Sequence, residues 1–264
     1  MSAPFAPDAR PAPLRPRVVA AIVAYNTASL LEKALLRIPR HLVDAIFVMD
    51  DASTDDTYEV ARRLGLSVYR NRRNLGYGGN VRAALWRALE EFDADYVVEV
   101  HGDGAQFDPA AIADALPLMQ KGVPLILGSR FMLPGQARRD GMSWVRFAAN
   151  RGLSWLARAG LGMPLTEFHT GFRIYSRDLI KTLPLAENAP NHLFSFQILA
   201  QAAYFGKAVR EIPVQCDYRS AHTSISLWDA TLYSFAILKC MAQFRLARAG
   251  WRHNGIFPAQ PRTP

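Results

Sequence analysis

An apolar run that passes directly into a short, glycine-flanked loop restricts the fold of this chain more than any other feature. Residues 97–100 (VVEV) have the composition of a buried strand, and residues 101–104 (HGDG) form the loop. A second apolar run, residues 45–49, ends in the carboxylates Asp50 and Asp51. If these strands are parallel, both acidic ends lie at the carboxyl edge of one sheet, where open α/β sheets bind their ligands.

The first half of the chain alternates between strand and helix. Continuous apolar runs are typical of strands buried on both faces, and capping residues or prolines mark the helix ends. The predicted strands cover residues 18–25, 45–50, 67–69, 96–100 and 125–130, and the predicted helices cover residues 29–38, residues 57–64, a segment ending near residue 92 and a segment opening at Pro109. This order predicts an α/β, Rossmann-like fold with a mainly parallel sheet and helices on both faces.

The second half is less regular. Its apolar periodicity predicts helices at residues 144–160, 193–205 and 227–249 and strands at residues 171–175 and 209–218, the last of them interrupted by Pro213. The 264 residues suffice for one large domain but are few for two independent cores. The predicted organisation is a disordered proline-rich tail (1–17), one domain (18–226), an amphipathic helix packed on the domain or on a membrane surface (227–250), and a second tail (251–264).

Charge and cysteine content narrow the possible partners. The net charge of +8 fits phosphate or anionic lipid, although solubility alone could explain it, and no motif favours nucleic acid. Cys216 and Cys240 have the spacing of neither a disulfide framework nor a zinc site, which fits a cytoplasmic protein. Asp229 and Lys239 interrupt the best apolar stretch, so we expect no membrane-spanning helix. A peripheral position at the inner face of the cell membrane stays open.

Six short motifs, in order, resemble family 2 glycosyltransferases of the GT-A fold, and among them the dolichyl- and polyprenyl-phosphate sugar synthases. The resemblance spans roughly residues 18–226. The motifs are AYN at residues 24–26, DDASTD at 50–55, NLGYG at 74–78, HGDG at 101–104, GSR at 128–130 and TGFR at 170–173. The resemblance implies transfer of a sugar from a nucleoside diphosphate to an acceptor, with inversion at the anomeric carbon and usually with Mg²⁺ or Mn²⁺.

The end of the second strand is the predicted nucleotide site. A carboxylate at Asp50 or Asp51 can accept the ring N–H of uracil or guanine. The alternative duty, capping the next helix, already suits Thr54 or Asp55. The resemblance completes the predicted nucleotide-binding set with Tyr25, Asn26, Asn80 and Arg219. For Arg219, plain surface exposure is an equal alternative.

Asp103 is the predicted metal ligand. A carboxylate on this loop can bind a cation that bridges the two phosphates and neutralises the departing diphosphate. In the resemblance, His101 stands where an Asp-x-Asp motif has its first aspartate, and Gln106 follows as a further ligand. His101 could ligate Mn²⁺, or it could instead donate a hydrogen bond to phosphate.

Three residues are predicted to act on the acceptor and the phosphates. The resemblance makes Glu167 the candidate for acceptor orientation or for the general base, although a surface loop carboxylate is the alternative. A hydroxyl acceptor would need that base, whereas an anionic phosphate acceptor would need little help. Arg130 and Arg173 carry the planar guanidinium fork that makes bidentate bonds to phosphate.

These features predict an inverting glycosyltransferase that moves a sugar from a UDP- or GDP-sugar to a polyprenyl phosphate or to a lipid-linked or cell-surface glycan. A membrane partner protein or the last helix would hold it at the bilayer. The alternative is a catalytically idle protein of the same fold that binds nucleotide sugars or acts as a scaffold. No glycine-rich, basic phosphate loop follows the first strand, which disfavours a nucleotidyltransferase, and no Gly-x-Gly-x-x-Gly motif is present there to indicate a dinucleotide dehydrogenase.

Overall fold

A seven-stranded sheet forms the centre of the protein. The structure, a computed structural model, describes residues 15–103, 107–218 and 227–259, and of residues 227–230 it describes the backbone only. The strands are β1 (Val18–Ala24), β2 (Ala45–Asp50), β3 (Ser67–Arg70), β4 (Tyr96–His101), β5 (Leu125–Ser129), β6 (Arg173–Ser176) and β7 (Val209–Pro213). The helices are α1 (Leu31–Arg37), α2 (Thr57–Arg63), α3 (Gly76–Phe92), α4 (Ile112–Gln120), α5 (Gln136–Arg139), α6 (Trp144–Leu161), α7 (Arg177–Thr182), α8 (Leu193–Tyr204) and α9 (Leu227–Arg248).

The strands lie in the order β3-β2-β1-β4-β6-β5-β7. Among the described strands, β6 runs antiparallel to its neighbours β4 and β5, and the other pairs are parallel. The prediction of a mainly parallel sheet is confirmed. The register pairs Ala24 with Asp50 and Val23 with His101, so β1, β2 and β4 end side by side at one edge.

Helices cover both faces of the sheet, as predicted. On one face, α3, α6, α8 and α9 pack over a large apolar core that includes Leu85, Ala157 and Phe244. On the other face, α1, α2 and α4 pack over a smaller core that includes Leu35 and Ile112. The strands between them are apolar on both faces because neither face meets water.

The last helix packs on the domain through one side. Ile237 and Phe244 of α9 are buried against α6 and α8, whereas Leu232, Phe235 and Leu238 are exposed. Among the described residues, none of the helices combines the length and the apolarity that crossing a bilayer requires.

The strand predicted over residues 209–218, with its interruption at Pro213, ends at that residue as β7, since proline has no N–H to donate to a neighbouring strand. The turn after β5 contains the short helix α5 and is held by Asp140, whose carboxylate accepts a hydrogen bond from the Cys216 N–H at 2.9 Å.

Gly78 of α3 has no room for a side chain, because a neighbouring loop packs closely against it. A Cβ built at Gly78 would lie 2.5 Å from Cβ of Phe194 and 2.6 Å from the carbonyl oxygen of Ala189. We expect Gly78→Ala to lower the free energy of unfolding by about 1–3 kcal/mol through overpacking. Gly152 of α6 has no atom within 4 Å of such a Cβ. Gly152→Ala should therefore raise the same quantity by about 0.4–1 kcal/mol. Urea denaturation measures both, and a stabilised Gly78→Ala variant would contradict the packing argument.

Candidate functional site

The loops that follow β1 and β2 hold each other at the carboxyl edge. The side-chain oxygen of Asn26 accepts a hydrogen bond from the Thr54 N–H at 2.8 Å, and the Asn26 N–H donates to the Ser53 hydroxyl at 2.9 Å. Asn26 has a φ of 51°, a conformation that asparagine tolerates better than most residues. Its oxygen is thus used within the protein, and the role of Asn26 in nucleotide binding stays a prediction.

Asp50 has a structural duty. It is fully buried, its Oδ1 accepts hydrogen bonds from the Ser53 N–H and hydroxyl, and its Oδ2 lies 3.2 Å from Nε of Arg70. The predicted capping role falls to Asp55, whose carboxylate accepts from the Thr57 N–H at 3.0 Å at the start of α2. Neither Asp50 nor Asp51 therefore caps α2.

Asp51 keeps one oxygen for a ligand. Its Oδ1 accepts hydrogen bonds from Nδ2 of Asn71 at 2.7 Å and from the Leu75 N–H at 2.8 Å. Its Oδ2 accepts none from the described residues. The Asp51 N–H donates to the carbonyl of Ala24, and the next residue, Tyr25, has an exposed side chain. The backbone thus places Tyr25 and Asp51 at the same edge of the sheet.

Asn80 lies under the ends of β1 and β2, with its Nδ2 3.5 Å from the carbonyl oxygen of Ala24, and its role in nucleotide binding stays a prediction. It is buried on the inner side of α3, its Nδ2 donates to the carbonyl of Met49 at 3.0 Å, and its Oδ1 accepts from Asn71 at 3.0 Å. The helix turns this side chain toward the strands, so Asn80 orients Asn71, which in turn holds Asp51. Asn71 is a contributor that the sequence interpretation missed.

Asp103 lies beside the end of β1 with a carboxylate oxygen left over. The Gly102 N–H donates to the carbonyl of Val23 at 2.9 Å, and a Cβ at Gly102 would lie 3.0 Å from that oxygen and 3.1 Å from Oγ1 of Thr27. The missing side chain thus lets the loop approach β1. Oδ1 of Asp103 is buried and has no hydrogen-bond partner among the described residues.

This oxygen fits a cation ligand. A buried carboxylate oxygen without a partner is costly unless something compensates its charge. Within residues 15–103, 107–218 and 227–259, no group of three His, Cys, Asp or Glu side chains could hold a metal. The single carboxylate of Asp103 is compatible with Mg²⁺ or Mn²⁺, which commonly take one or two carboxylates and fill the remaining positions with phosphates and waters. Gln106, the third predicted ligand, lies outside the described residues, as does Arg219.

His101 is tied to a buried carboxylate that the sequence interpretation missed. Its Nε2 lies 3.2 Å from Oε1 of Glu99. The same oxygen accepts from the hydroxyl of Tyr77, and Oε2 of Glu99 accepts from the hydroxyl of Tyr175, each at 2.6 Å. The signal was present, since Glu99 is the lone charge within the apolar run of β4. A Cβ built at Gly171 would lie 2.7 Å from Cε1 of His101, so the imidazole packs against Gly171 where any side chain would collide with it.

The charges of this pair support each other. Burial alone would lower the pKa of His101, but the hydrogen bond and charge of Glu99 and the charge of Asp103 raise it above its ordinary value. Burial alone would raise the pKa of Glu99, but His101 and the two tyrosine hydroxyls lower it. Nε2 of His101 is engaged by Glu99, and both predicted roles of the imidazole, metal ligand and donor to phosphate, stay predictions.

Arg130 and Glu167 form a buried ion pair. Oε2 of Glu167 accepts from the Arg130 N–H at 2.7 Å, and Oε1 accepts from Nε at 2.7 Å and from Nη2. Arg130 also donates to the hydroxyl of Tyr218 and, at 3.4 Å, to Oδ1 of Asn150 in α6. Burial alone would lower the pKa of Arg130, but the charge of Glu167 raises it above its ordinary value.

Glu167 is not the surface loop carboxylate that was the alternative. Its exposed fraction is 0%, and Arg130 uses both of its oxygens. Glu211 holds the turn from the other side by accepting from the backbone N–H groups of Thr166 and Glu167 at 2.7 and 2.9 Å. Glu167 thus positions Arg130, and its part as a general base or in acceptor orientation stays a prediction.

Arg173 likewise does not face a phosphate. It is fully buried at the start of β6, opposite Glu99 in the register, and it donates to the carbonyl oxygens of Thr170, Ser195 and Phe168. The antiparallel direction of β6 directs it into the space under α8. Its positive charge there helps to balance the buried carboxylate of Glu99.

Comparison with known proteins gives one family and several relatives. The sequence model of the family described as Glycosyl transferase family 2 matches residues 20–183. A UDP-N-acetylglucosamine–dolichyl-phosphate N-acetylglucosaminyltransferase of Methanococcus voltae is 25% identical over 240 residues, which cover 83% of this chain and 94% of that protein. A polyprenol monophosphomannose synthase of Mycolicibacterium smegmatis is 26% identical over 215 residues, covering 77% and 79%.

The structural comparison confirms the predicted GT-A architecture. Glucosyl-3-phosphoglycerate synthase from Mycobacterium tuberculosis superposes with a TM-score of 0.65 at 22% identity, covering 90% of this chain and 82% of the other. The same enzyme with Mn²⁺, uridine diphosphate and glucosyl-3-phosphoglycerate superposes with a TM-score of 0.61, also at 22% identity and with the same coverage. At this identity the likeness concerns the fold.

Proposed function

The chain belongs to glycosyl transferase family 2, and we propose that it transfers a sugar from a nucleoside diphosphate to the phosphate of a polyprenyl lipid. One observation carries the proposal. A buried, unpartnered oxygen of Asp103 and a carboxylate oxygen of Asp51 without a hydrogen bond occur at the same edge of the sheet. The Asp103 oxygen suits the cation on a diphosphate, and the Asp51 oxygen suits a base.

The donor is a UDP- or GDP-sugar. Uracil and guanine each present a ring N–H that the Oδ2 of Asp51 can accept, and the exposed ring of Tyr25 can stack on the base. The Methanococcus relative is named for a UDP-sugar, and the mycobacterial structure holds uridine diphosphate. These names support a uridine nucleotide as the first donor to test.

The acceptor phosphate explains the absence of an accessible base at Glu167. A phosphate is already anionic at neutral pH and needs no group to remove a proton before it attacks. Both relatives described above are named for dolichyl phosphate or polyprenol as acceptor. The buried pairing of Glu167 with Arg130 is compatible with that acceptor and unsuited to a hydroxyl that must lose a proton.

The proposed reaction is one in-line displacement. The acceptor oxygen forms a bond to the anomeric carbon while the bond from that carbon to the diphosphate breaks on the opposite face, which inverts the configuration. A bound Mg²⁺ or Mn²⁺ would supply Lewis-acid stabilisation of the departing diphosphate. Asp103 would hold that cation, and His101 would place an N–H donor on the same loop. Arg130 fixes Tyr218 and the segment after β7 beside the site.

Donor binding is tested by thermal melting with UDP and GDP, each with and without Mn²⁺. A ligand at 100 times its Kd should stabilise the protein by about 2.7 kcal/mol, and we expect this for one of the two nucleotides and only with the cation. Asp51→Asn should weaken that nucleotide by about tenfold or more, because an amide N–H would then face the ring N–H. Asp114→Asn, on exposed α4 surface, is the control.

Transfer distinguishes an enzyme from a binding protein. Radiolabelled sugar from the stabilising nucleotide should appear in polyprenyl phosphate extracted into organic solvent. If Mn²⁺-dependent binding occurs without transfer or hydrolysis of any UDP- or GDP-sugar, the chain is a nucleotide-sugar binding protein. If neither nucleotide stabilises it, the proposed function is wrong.

A further inference from the structure

Helix α6 presents an apolar face to water. Its 18 residues contain three arginines and no acidic residue. Trp144, Val145 and Trp155 are 68%, 75% and 69% exposed. Exposed apolar or small residues also occur between and after them, namely Ala148, Ala149, Gly152, Leu156 and Ala159. An exposed stripe of this length on one helix marks a surface that something covers.

The stripe follows from helical periodicity. Positions 144, 148, 152, 155 and 159 are separated by three or four residues, so they share one face. The opposite face packs inward, where Ser154, Ala157 and Leu161 are buried. An ordinary surface helix is polar on its outer face. α6 is apolar on its outer face as well as on its inner face, and its arginines lie on neither of the two.

The distribution of charge and aromatic rings identifies the covering surface as lipid. Trp144 and Trp155 stand near opposite ends of the stripe, about 16 Å apart along the helix axis. Arg151 and Arg158 are exposed along one border. Tryptophan prefers the membrane–water interface, and basic side chains bind anionic headgroups. A symmetric contact between antiparallel copies of α6 would bring the arginine border against its own equivalent, which is unfavourable.

Helix α9 supports the same surface. The guanidinium of Arg245 donates to the carbonyl oxygens of Gly160 and Ala159 at 2.7 and 2.6 Å, which caps the carboxyl end of α6. A side chain at Gly160 would collide with Sδ of Met241, so the two helices are in close contact there. These contacts hold α6 in place against α9. α9 also exposes Phe235 and other apolar residues of its own.

We propose that α6 is the membrane-docking helix and lies on an anionic bilayer surface through this stripe. The inference deepens the proposed function and rests on it in one respect, since a polyprenyl phosphate has to be met at a bilayer. The inner face of α6 already reaches the site, because Asn150 accepts from Arg130 and the ring of Phe147 packs on Phe131 with centroids 5.6 Å apart. A docked bilayer would lie about one helix diameter, roughly 10 Å, from Arg130.

The test measures vesicle binding by the full chain without donor or acceptor. Vesicles of phosphatidylcholine mixed with phosphatidylglycerol should retain the protein in flotation, with a blue shift of tryptophan fluorescence, and salt should weaken the binding. The double variant Trp144→Ser, Trp155→Ser should lose about tenfold or more of the partition coefficient. The variant Arg151→Gln, Arg158→Gln should lose binding to anionic vesicles and leave the weaker binding to pure phosphatidylcholine unchanged.

Leu36→Ser is the matched control. Leu36 is 76% exposed on α1, which covers the other face of the sheet. The partition coefficient of the Leu36→Ser variant should therefore stay within about twofold of that of the parent protein. Equal binding by the tryptophan variant overturns the proposal, as does a parent protein that binds neither kind of vesicle. A self-association that the variant abolishes, without vesicle binding, would reassign the stripe to a second copy. Failure of sugar transfer with vesicle binding intact would count against the proposed function alone.

Discussion

Asp103→Asn should reduce sugar transfer on the order of 10³-fold, because the departing diphosphate loses the cation that neutralises it. The substitution keeps the shape of the side chain and removes its negative charge. Oδ1 of Asp103 has no hydrogen-bond partner in the described structure, so the change breaks no described hydrogen bond of that oxygen. The melting temperature without ligand should therefore stay close to that of the parent protein, which separates loss of function from loss of fold.

The same variant should lose the cation dependence of nucleotide binding. Mn²⁺ together with the nucleotide should raise the melting temperature of the parent protein, and Mn²⁺ should have no such effect on the variant. Asp108→Asn is the control, because Asp108 is a nearby carboxylate whose Oδ1 accepts from the Ala110 N–H at 3.0 Å and approaches Arg37. Full transfer by Asp103→Asn with unchanged cation dependence would show that the metal, if bound, is held elsewhere.

The position of this carboxylate was predictable because strand direction follows from chain order. Apolar runs separated by helices are joined by crossovers, which make successive strands parallel and bring their carboxyl ends to one edge. Asp51 and Asp103 each follow such a run, and the register places the ends of β2 and β4 on either side of β1. The prediction needed only periodicity and the order of the elements.

The direction of β6 was not predictable in this way. Its sequence, RIYS, is short and carries no signal of direction, and the long connection through α6 separates it from β5. Its antiparallel pairing decides the fate of Arg173, which lies opposite Glu99 under α8. Arg173 is a residue type that suits phosphate, but the antiparallel pairing of β6 places it in the core. The residues next to it in sequence do not encode that pairing.

Burial explains the remaining differences at the site. Asn80 stands between Gly79 and Val81, and Glu167 between Thr166 and Phe168. Sequence alone does not reveal whether such a side chain turns outward or inward. In the structure both are buried, and each holds a residue that stands nearer to the open edge: Asn71 in the first case and Arg130 in the second. The residue types were compatible with ligand binding, whereas their partners are set by packing over long separations in sequence.

Glu167→Gln should lower the free energy of unfolding by about 3–5 kcal/mol, because it leaves the buried guanidinium of Arg130 without a counter-charge. That is a large part of the 5–15 kcal/mol that typically separates folded from unfolded protein. Asp178→Asn is the matched control, since Asp178 pairs with Lys207 at 2.6 Å but is 70% exposed. Its cost should not exceed about 1 kcal/mol. Urea denaturation of each variant gives both numbers.

A double-mutant cycle then separates pairing from catalysis. Replacing both partners, as Arg130→Met with Glu167→Leu, should cost less than the sum of the two single changes, because no unpaired buried charge remains. A general base would behave in another way. Glu167→Gln would then keep its stability, lose turnover with little change in substrate KM, and abolish the acid limb of the pH–rate profile. That outcome would reject the positioning role and favour a hydroxyl acceptor over a phosphate.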